Sequence, residues 1–387
     1  MTRPSPGMSL RFCTRCVISN RRPLASREYQ RGPGSSPSLM AFDAEGVCAA
    51  CRVAERKAAT DWKARREELE TLLARYRRSD GRFDVVCPGS GGKDSVYAAH
   101  LLRDEFAMHP LTVTWAPMLY TDVGRRNFET WVRNGFTNHL ITPNPQVHAR
   151  LTRLAFLNLL HPFQPFALGQ RSLPTRFAAQ HGIGLVVYGE DDEDYEGAAG
   201  WQEQREVHDD AGALHISGVP WGQLVRDYQL PHHDLSAYLP IRYDEAAQVQ
   251  NVALGRYVRW RPQDAYYFAS DRGFVPNDQR TEGTYTTYAS IDDKLDPLHY
   301  YTMLIKFGVG RASHDASHEV RNGHLTREEG VALVRKYDTE FPTRYLAESL
   351  VYMGLSIEEF HAACDRFRPE DLWERDGIAW RLRRQVT

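Results

Sequence analysis

Val85-Val86-Cys87-Pro88-Gly89-Ser90-Gly91-Gly92-Lys93-Asp94-Ser95 is the stretch around which this chain reads. Phe83, Val85 and Val86 form a short apolar run that predicts a buried strand. Val96 to Leu102 then predicts a helix, so the glycines and serines lie on a strand-to-helix turn. Glycines let backbone N–H groups approach an anion closely, and a helix start adds partial positive charge. The spacing is not that of the common nucleotide-binding loop, which needs Gly, four residues, then Gly-Lys-Ser/Thr. It is not GxGxxG either.

Working outward, strands alternate with helices. Pro110–Trp115, His139–Thr142 and Ile183–Glu190 read as further strands. Arg126–Trp131 and residues 146–160 read as helices. Such alternation predicts an α/β fold with a parallel, doubly wound sheet. Ligands bind such sheets at the carboxyl ends of the strands. Ser90, Gly91, Gly92, Lys93, Asp94 and Ser95 fall at that edge, as do Thr114, Trp115, Gly189 and Glu190. Residues 190–196 are strongly acidic, and Glu190 is a candidate to hold Mg²⁺, which takes one or two carboxylates beside phosphate oxygens. The rest of that run is expected to be a solvated loop. His232 and His233 read as surface histidines, and 200–245 as irregular connections.

Upstream, Cys13/Cys16 and Cys48/Cys51 form two Cys-x-x-Cys pairs. Two such knuckles complete a tetrahedral four-thiolate set, which suits a structural Zn²⁺. Residues 30–38 between them read as an exposed loop. Residues 52–78 predict one long amphipathic helix with Trp62, Leu69, Leu72, Leu73 and Tyr76 on its apolar face. Downstream, Lys306, Arg311, His314, Asp315, His318 and Arg321 concentrate in about sixteen residues; on a helix Arg311, Asp315 and His318 share a face. Such a face suits a phosphate or a sugar-nucleotide diphosphate. Thr326/Glu329 and Ser356/Glu359 fit capping boxes at the starts of two C-terminal helices.

The 387 residues allow two or three domains. The expected division is 1–80 for the four-cysteine unit and linker helix, 81–245 for the sheet domain, and 246–387 for a mostly helical region facing substrate or partner. The chain is 42% hydrophobic and 25% charged, with net charge -2. That balance weighs against a nucleic-acid partner, which calls for a basic excess. No apolar run approaches the ~20 residues of a membrane span, and the first residues lack a secretory core. A cytoplasmic protein without membrane contact is expected.

Ser90-Gly91-Gly92-Lys93-Asp94-Ser95 resembles the PP-loop of ATP pyrophosphatases. The two cysteine knuckles, this loop, Thr114-Trp115-Ala116-Pro117, Tyr188-Gly189-Glu190 and the block from Lys306 to Gly323 follow in one order. Taken together the chain is similar to the N-acetyl sugar amidotransferases of bacterial surface-polysaccharide pathways. The resemblance implies ATP, Mg²⁺ and Zn²⁺ as cofactors and a PP-loop (adenine nucleotide alpha hydrolase) sheet. It implies conversion of a sugar acetamido group to acetamidino through an adenylated amide. It implies ammonia from a separate glutaminase with a cyclase-like companion. Catalytic roles fall on Lys93, Asp94, Lys306 and Arg311, and ATP contacts on Ser90–Ser95, Thr114, Trp115, Gly189 and Glu190. Asp315, His318 and Arg321 are assigned to the nucleotide-linked sugar. The rival readings are a PP-loop tRNA thiolase, which needs a persulfide-carrying or cluster-binding cysteine set, and a zinc-ribbon nucleic-acid binder.

Overall fold

The computed structural model describes residues 9–24, 37–197, 215–239, 248–377 and 379–387. Residues 30–36 of the expected loop lie outside these. The first segment makes two tight turns that carry the cysteine pairs, closed by bridges between Phe12 and Ser19 and between Phe42 and Cys48. Cys48 immediately precedes helix α1 (Ala49–Ala58). The single helix expected over 52–78 is in fact two. The Asp61 side chain accepts from the N–H groups of Lys63 and Ala64 and so starts α2 (Trp62–Ala74) afresh. A capping carboxylate satisfies donors that the preceding turn cannot. Leu69, Leu72 and Leu73 form the buried face of α2.

The sheet then begins. β1 (Val85–Pro88) leads into α3 (Lys93–His100), followed by β2 (Pro110–Trp115) and α4 (Asp122–Arg133). Next come β3 (Asn138–Ile141), α5 (Pro145–Leu159), α6 (Gln164–Gln180) and β4 (Leu185–Tyr188). A short helix, α7 (Glu193–Glu196), follows β4. The region expected to be irregular holds a small hairpin, β5 (His215–Ile216) and β6 (Val219–Pro220), and two short helices, α8 (Trp221–Arg226) and α9 (His232–Leu235). His232 and His233 are exposed, as expected.

β7 (Gln250–Ala253) completes a five-stranded sheet of order β3-β2-β1-β4-β7, parallel throughout. This is the doubly wound arrangement that the alternation predicts. The fifth strand lies beyond residue 245, so the sheet outruns the boundary expected for its domain. α10 (Pro262–Ser270) packs on α3.

Side chains alternate across the strands, as the pleat requires. Val86, Val113 and Val186 enter one core with Leu151 of α5 and Phe177 of α6. Val85, Cys87, Leu185 and Val187 enter the other with Leu73, Trp131 and Ala269. Both faces are thus covered, and each fully buried aliphatic side chain contributes roughly 1.5–3 kcal/mol. A cleft lies at the carboxyl edge, where the ends of β1, β2 and β4 meet.

The C-terminal region is helical: α11 (Asp296–Phe307), α12 (Arg311–Arg321), α13 (Arg327–Tyr337), α14 (Leu346–Met353) and α15 (Ile357–Phe367). A hairpin of β8 (Trp373–Asp376) and β9 (Ala379–Leu382) ends it. Both expected capping boxes are present, Thr326 with Glu329 and Ser356 with Glu359. Among the described residues no helix is long and apolar enough to cross a membrane.

Candidate active site

At the end of β1, residues 89–92 turn the chain into α3. Gly91 has φ +87°, and a Cβ there would lie 2.7 Å from the Asn127 carbonyl oxygen. Gly89 has no more room, since its Cβ would sit 2.2 Å from that of Ser95. Ser95 Oγ donates to the Gly92 carbonyl at 2.9 Å and accepts from the Gly91 N–H at 3.2 Å, closing the loop on itself. No side chain caps the start of α3. Its first N–H groups are therefore open to an anion. Thr114 supports this loop from below, donating to the Gly89 carbonyl at 2.6 Å while accepting from Asn138. It is buried and stands outside the cleft lining, so its contact is with the loop; Trp115 does line the cleft.

The loop opens into a cleft of about 540 Å³. Lys93 and Asp94 form an ion pair at its base. Burial alone would pull the Lys93 ammonium down, but the carboxylates of Asp94 and Glu190 outweigh it and hold it above the ordinary lysine value. Glu190 accepts from the Tyr195 hydroxyl at 2.5 Å. Burial, reinforced by the Asp94 charge, pushes the Glu190 carboxyl up to about 7. Asp292, which the sequence reading did not single out, accepts from Ser90 Oγ at 2.5 Å. Burial raises it to about 6, with Asp296 and Asp94 adding to the shift. Asp94 Oδ1 is buried with no hydrogen-bond partner. An unpartnered carboxylate oxygen beside two carboxyls that resist ionisation fits a divalent cation, whose charge would replace their protons. Asp94, with this unpartnered oxygen, and Glu190, whose carboxyl feels its charge, are the residues that would face Mg²⁺.

The opposite wall comes from the C-terminal region. Arg311 pairs with Asp315 at 2.9 Å and lies over the Tyr300 ring. His314 stacks on Tyr195 with centroids 5.2 Å apart, and His318 meets the same ring at 4.4 Å. Burial holds both imidazoles well below the ordinary histidine value, with Arg22 and Arg311 adding to the effect at His314 and Arg321 and Lys93 at His318. Arg311, Asp315 and His318 therefore share the cleft with the Gly-rich loop, and Gly189 and Glu190 line it between them. Four residues assigned from sequence do not line it: Gly91 and Thr114, which shape and support the loop, and Lys306 and Arg321. Lys306 is buried beneath, donating to the Leu159 carbonyl at 3.1 Å. Arg321 turns to the cysteines, with Nη1 3.9 Å from Cys16 Sγ. Both sit on the helices as expected, but their rotational position points them to structural partners.

The acidic run is not a solvated loop. Asp191 is fully buried and faces Lys57 at 3.3 Å and Arg256 at 3.4 Å. Lys57 also holds Asp194 at 2.6 Å, and Arg56 holds Glu193 at 2.8 Å. The run therefore fastens α1 to the sheet edge, which places the four-cysteine unit against the cleft.

In that unit Cys13 Sγ lies 3.8 Å from Cys51 Sγ, and Cys16 Sγ 3.7 Å from Cys48 Sγ. All four sulfurs fall within 4.8 Å of one another and are buried. A zinc–sulfur bond of about 2.3 Å in tetrahedral geometry places sulfurs about 3.8 Å apart. The tetrad fits the ion that the spacing predicts. Thiol donors from Cys16, Cys48 and Cys51 pull Cys13 far below the ordinary thiol range.

A parallel sheet with a glycine-rich anion loop at the end of its first strand, Lys and Asp at the following helix start, and a cleft at the strand ends are the arrangement that the PP-loop resemblance predicts. Residues 282–387 match the family model described as LPS biosynthesis protein WbpG-like, C-terminal domain. An uncharacterized protein of Methanocaldococcus jannaschii is 28% identical over 75 residues, which is 19% of this chain and 27% of that protein. The chain thus matches about a quarter of the length of this curated relative. Among solved structures, a predicted subunit of tRNA methyltransferase from Methanocaldococcus jannaschii aligns with TM-score 0.25 and 14% identity, over 48% of this chain and 75% of that one. The U34-tRNA thiolase NcsA from Methanococcus maripaludis, with its 4Fe-4S cluster, aligns with TM-score 0.28 and 11% identity, over 68% and 79%.

Proposed function

We propose that this protein is an ATP-dependent, AMP-forming amidotransferase that converts the acetamido group of a nucleotide-linked N-acetyl sugar to an acetamidino group in surface-polysaccharide biosynthesis. One observation carries the reading. Lys93 and Asp94 at the start of α3 open onto the same cleft as Arg311, His314 and His318 of the WbpG-like domain.

On this reading the N–H groups of the loop, Ser90 and Lys93 hold the ATP phosphates. Mg²⁺, when bound, supplies charge neutralisation at those phosphates. The sugar amide oxygen attacks the α-phosphorus and pyrophosphate leaves. Lys93 stabilises the charge that develops, an effect that preorganisation in a water-poor site enlarges. Ammonia then adds to the amide carbon, AMP departs with the oxygen, and one proton is lost. Pyrophosphate, with its anionic oxygens, is the acceptor for it, since burial and neighbouring cations make the imidazoles of His314 and His318 weak bases. A separate glutaminase with a cyclase-like companion supplies the ammonia. The tRNA-thiolase alternative fits less well. Cys87 and Cys364, outside the tetrad, are buried, and burial pushes both thiols up to about 12. A persulfide carrier needs an accessible thiolate.

The test is incubation with ATP, Mg²⁺, ammonium and a panel of UDP-linked N-acetyl sugars. The expected products are AMP and a sugar in which NH has replaced O, read by mass. Lys93→Ala and Asp94→Asn should each abolish AMP release. ADP as product, or full turnover by either variant, would refute the proposal.

A further inference from the structure

Arg22 lines this cleft although no motif points to it. It follows the first cysteine knuckle, where its N–H donates to the Ser19 carbonyl at 3.1 Å and its carbonyl accepts from Met40 at 2.8 Å. These bonds fix the backbone and send two neighbouring arginines opposite ways. Arg21, equally buried, pairs with Asp371. Arg22 turns inward, is only 4% exposed, and lines the cleft beside Tyr300, Arg311 and His314. Its Nη1 is buried without a hydrogen-bond partner. Its charge is faced by Glu196 and opposed by Arg311 and Arg321, while burial pulls its pKa below the usual guanidinium value. Arg311, by contrast, is tied to Asp315 and laid on Tyr300.

A guanidinium stripped of water and short of a donor's partner is costly, by several kcal/mol for a buried ion that stays uncompensated. Its planar fork is shaped to take two oxygens of a phosphate or carboxylate. Nothing about zinc binding requires an arginine aimed at the cleft. We infer that Arg22, seconded by Arg311, is an oxyanion subsite for the co-substrate, separate from the Gly-rich loop that takes the nucleotide triphosphate. The four-cysteine unit then contributes to substrate choice and does more than hold the chain together. The inference rests on the proposed function for the ligand's identity: the oxyanion is a phosphate of the nucleotide carrier or a carboxylate on the sugar.

Titration calorimetry separates these. The loop is first saturated with α,β-methylene ATP and Mg²⁺. UDP-N-acetylglucosamine, N-acetylglucosaminuronic acid and free N-acetylglucosamine are then titrated in turn. An anionic probe should bind the wild-type protein more tightly than the neutral sugar, and which one does names the source of the oxyanion. Arg22→Met should weaken that probe by about tenfold or more, the size expected for hydrogen bonds to a charged group. Arg22→Lys should recover part of the loss. Affinity for α,β-methylene ATP should stay within about twofold in both variants, which also shows that the fold survives. Equal binding of the neutral sugar and both anions, an unchanged affinity in Arg22→Met, or a parallel loss of ATP-analogue binding would overturn the subsite. AMP release is measured separately. Its failure alongside Arg22-dependent binding would sink the proposed reaction and leave the subsite standing.

Discussion

Gly91 shows how strictly single positions are set in this cleft. Its left-handed backbone and the 2.7 Å gap to Asn127 leave no place for a methyl group. Gly91→Ala should lower stability by about 1–3 kcal/mol and abolish binding of α,β-methylene ATP; wild-type affinity in a titration would remove the loop from the nucleotide site. Glu190 makes a different prediction, because its burial sets a cost that depends on pH. Its folded value is about 7 against 4.5 for a free glutamate. Between these values the native protein keeps a proton that the unfolded chain has lost. Native stability therefore falls as pH rises through that window and stays reduced above it. Glu190→Gln lacks the carboxyl, so its melting temperature relative to wild type should rise from about pH 4.5 to about pH 8. A constant difference across that range would mean that burial does not tax this carboxylate. Lys93, Asp94 and Glu190 were legible because each stands beside a glycine turn at a strand end. Asp292 and Arg22 were not: Ser90 and Asp292 meet across 202 residues of sequence, and no local pattern encodes that.

Among the elements, α12 carries most of the second wall and has an unusual start. The carboxylate of Asp338 at the end of α13 accepts from the Gly310 N–H at 3.0 Å, the Ser313 N–H at 2.8 Å and Ser313 Oγ at 2.7 Å. One helix is capped by a side chain that follows another. Asp338→Ala would strand buried donors at about 1–3 kcal/mol each. The melting temperature should drop. Because Arg311 begins α12, the KM for the proposed sugar substrate should rise more than that for the proposed ATP. An equal rise in both, or unchanged melting, would remove Asp338 from this role. Elements were readable where the pattern was local and apolar. β1, β2 and β4 are valine-rich runs ended by glycine or proline, and both capping boxes announce their helices. β7 was missed because Gln250-Asn251-Val252-Ala253 is a polar edge strand, recognised only through its pairing with Leu185–Tyr188. The break between α1 and α2 was missed because Asp61 reads as one more charge in a charged helix until its cap bonds are seen.

On the scale of the whole molecule, the four-cysteine unit, the sheet edge and the C-terminal helices hold one another in place. Arg321 of α12 lies against Cys16, Arg327 of α13 donates to the Cys13 carbonyl, and Val309 and Val320 pack among the cysteines. Burial opposes the charge on Arg321, but Cys16, Cys48 and Cys51 hold its pKa above the usual value, as suits a counter-ion to metal-bound thiolates. The unit has too small an apolar core to stand alone, and structural zinc contributes on the order of 10–16 kcal/mol to such modules. Chelation should therefore act on part of the molecule. Hydrogen exchange with and without a strong chelator should show residues 13–24, 40–51 and α12 losing protection, while β1, β2 and α3 keep theirs. Binding of α,β-methylene ATP should persist, because the Gly-rich loop is supported from Thr114, Ser95 and α4 rather than from the cysteines. Binding of the anionic co-substrate should fail, because Arg22 leaves with the unit. If protection is lost evenly across the sheet as well, the metal holds up the entire fold and the separation of nucleotide end from sugar end is wrong. If α12 keeps its protection, then the contacts of Arg321 and Arg327 do not couple the two regions, and the cysteine unit is an appendage rather than a wall of the cleft.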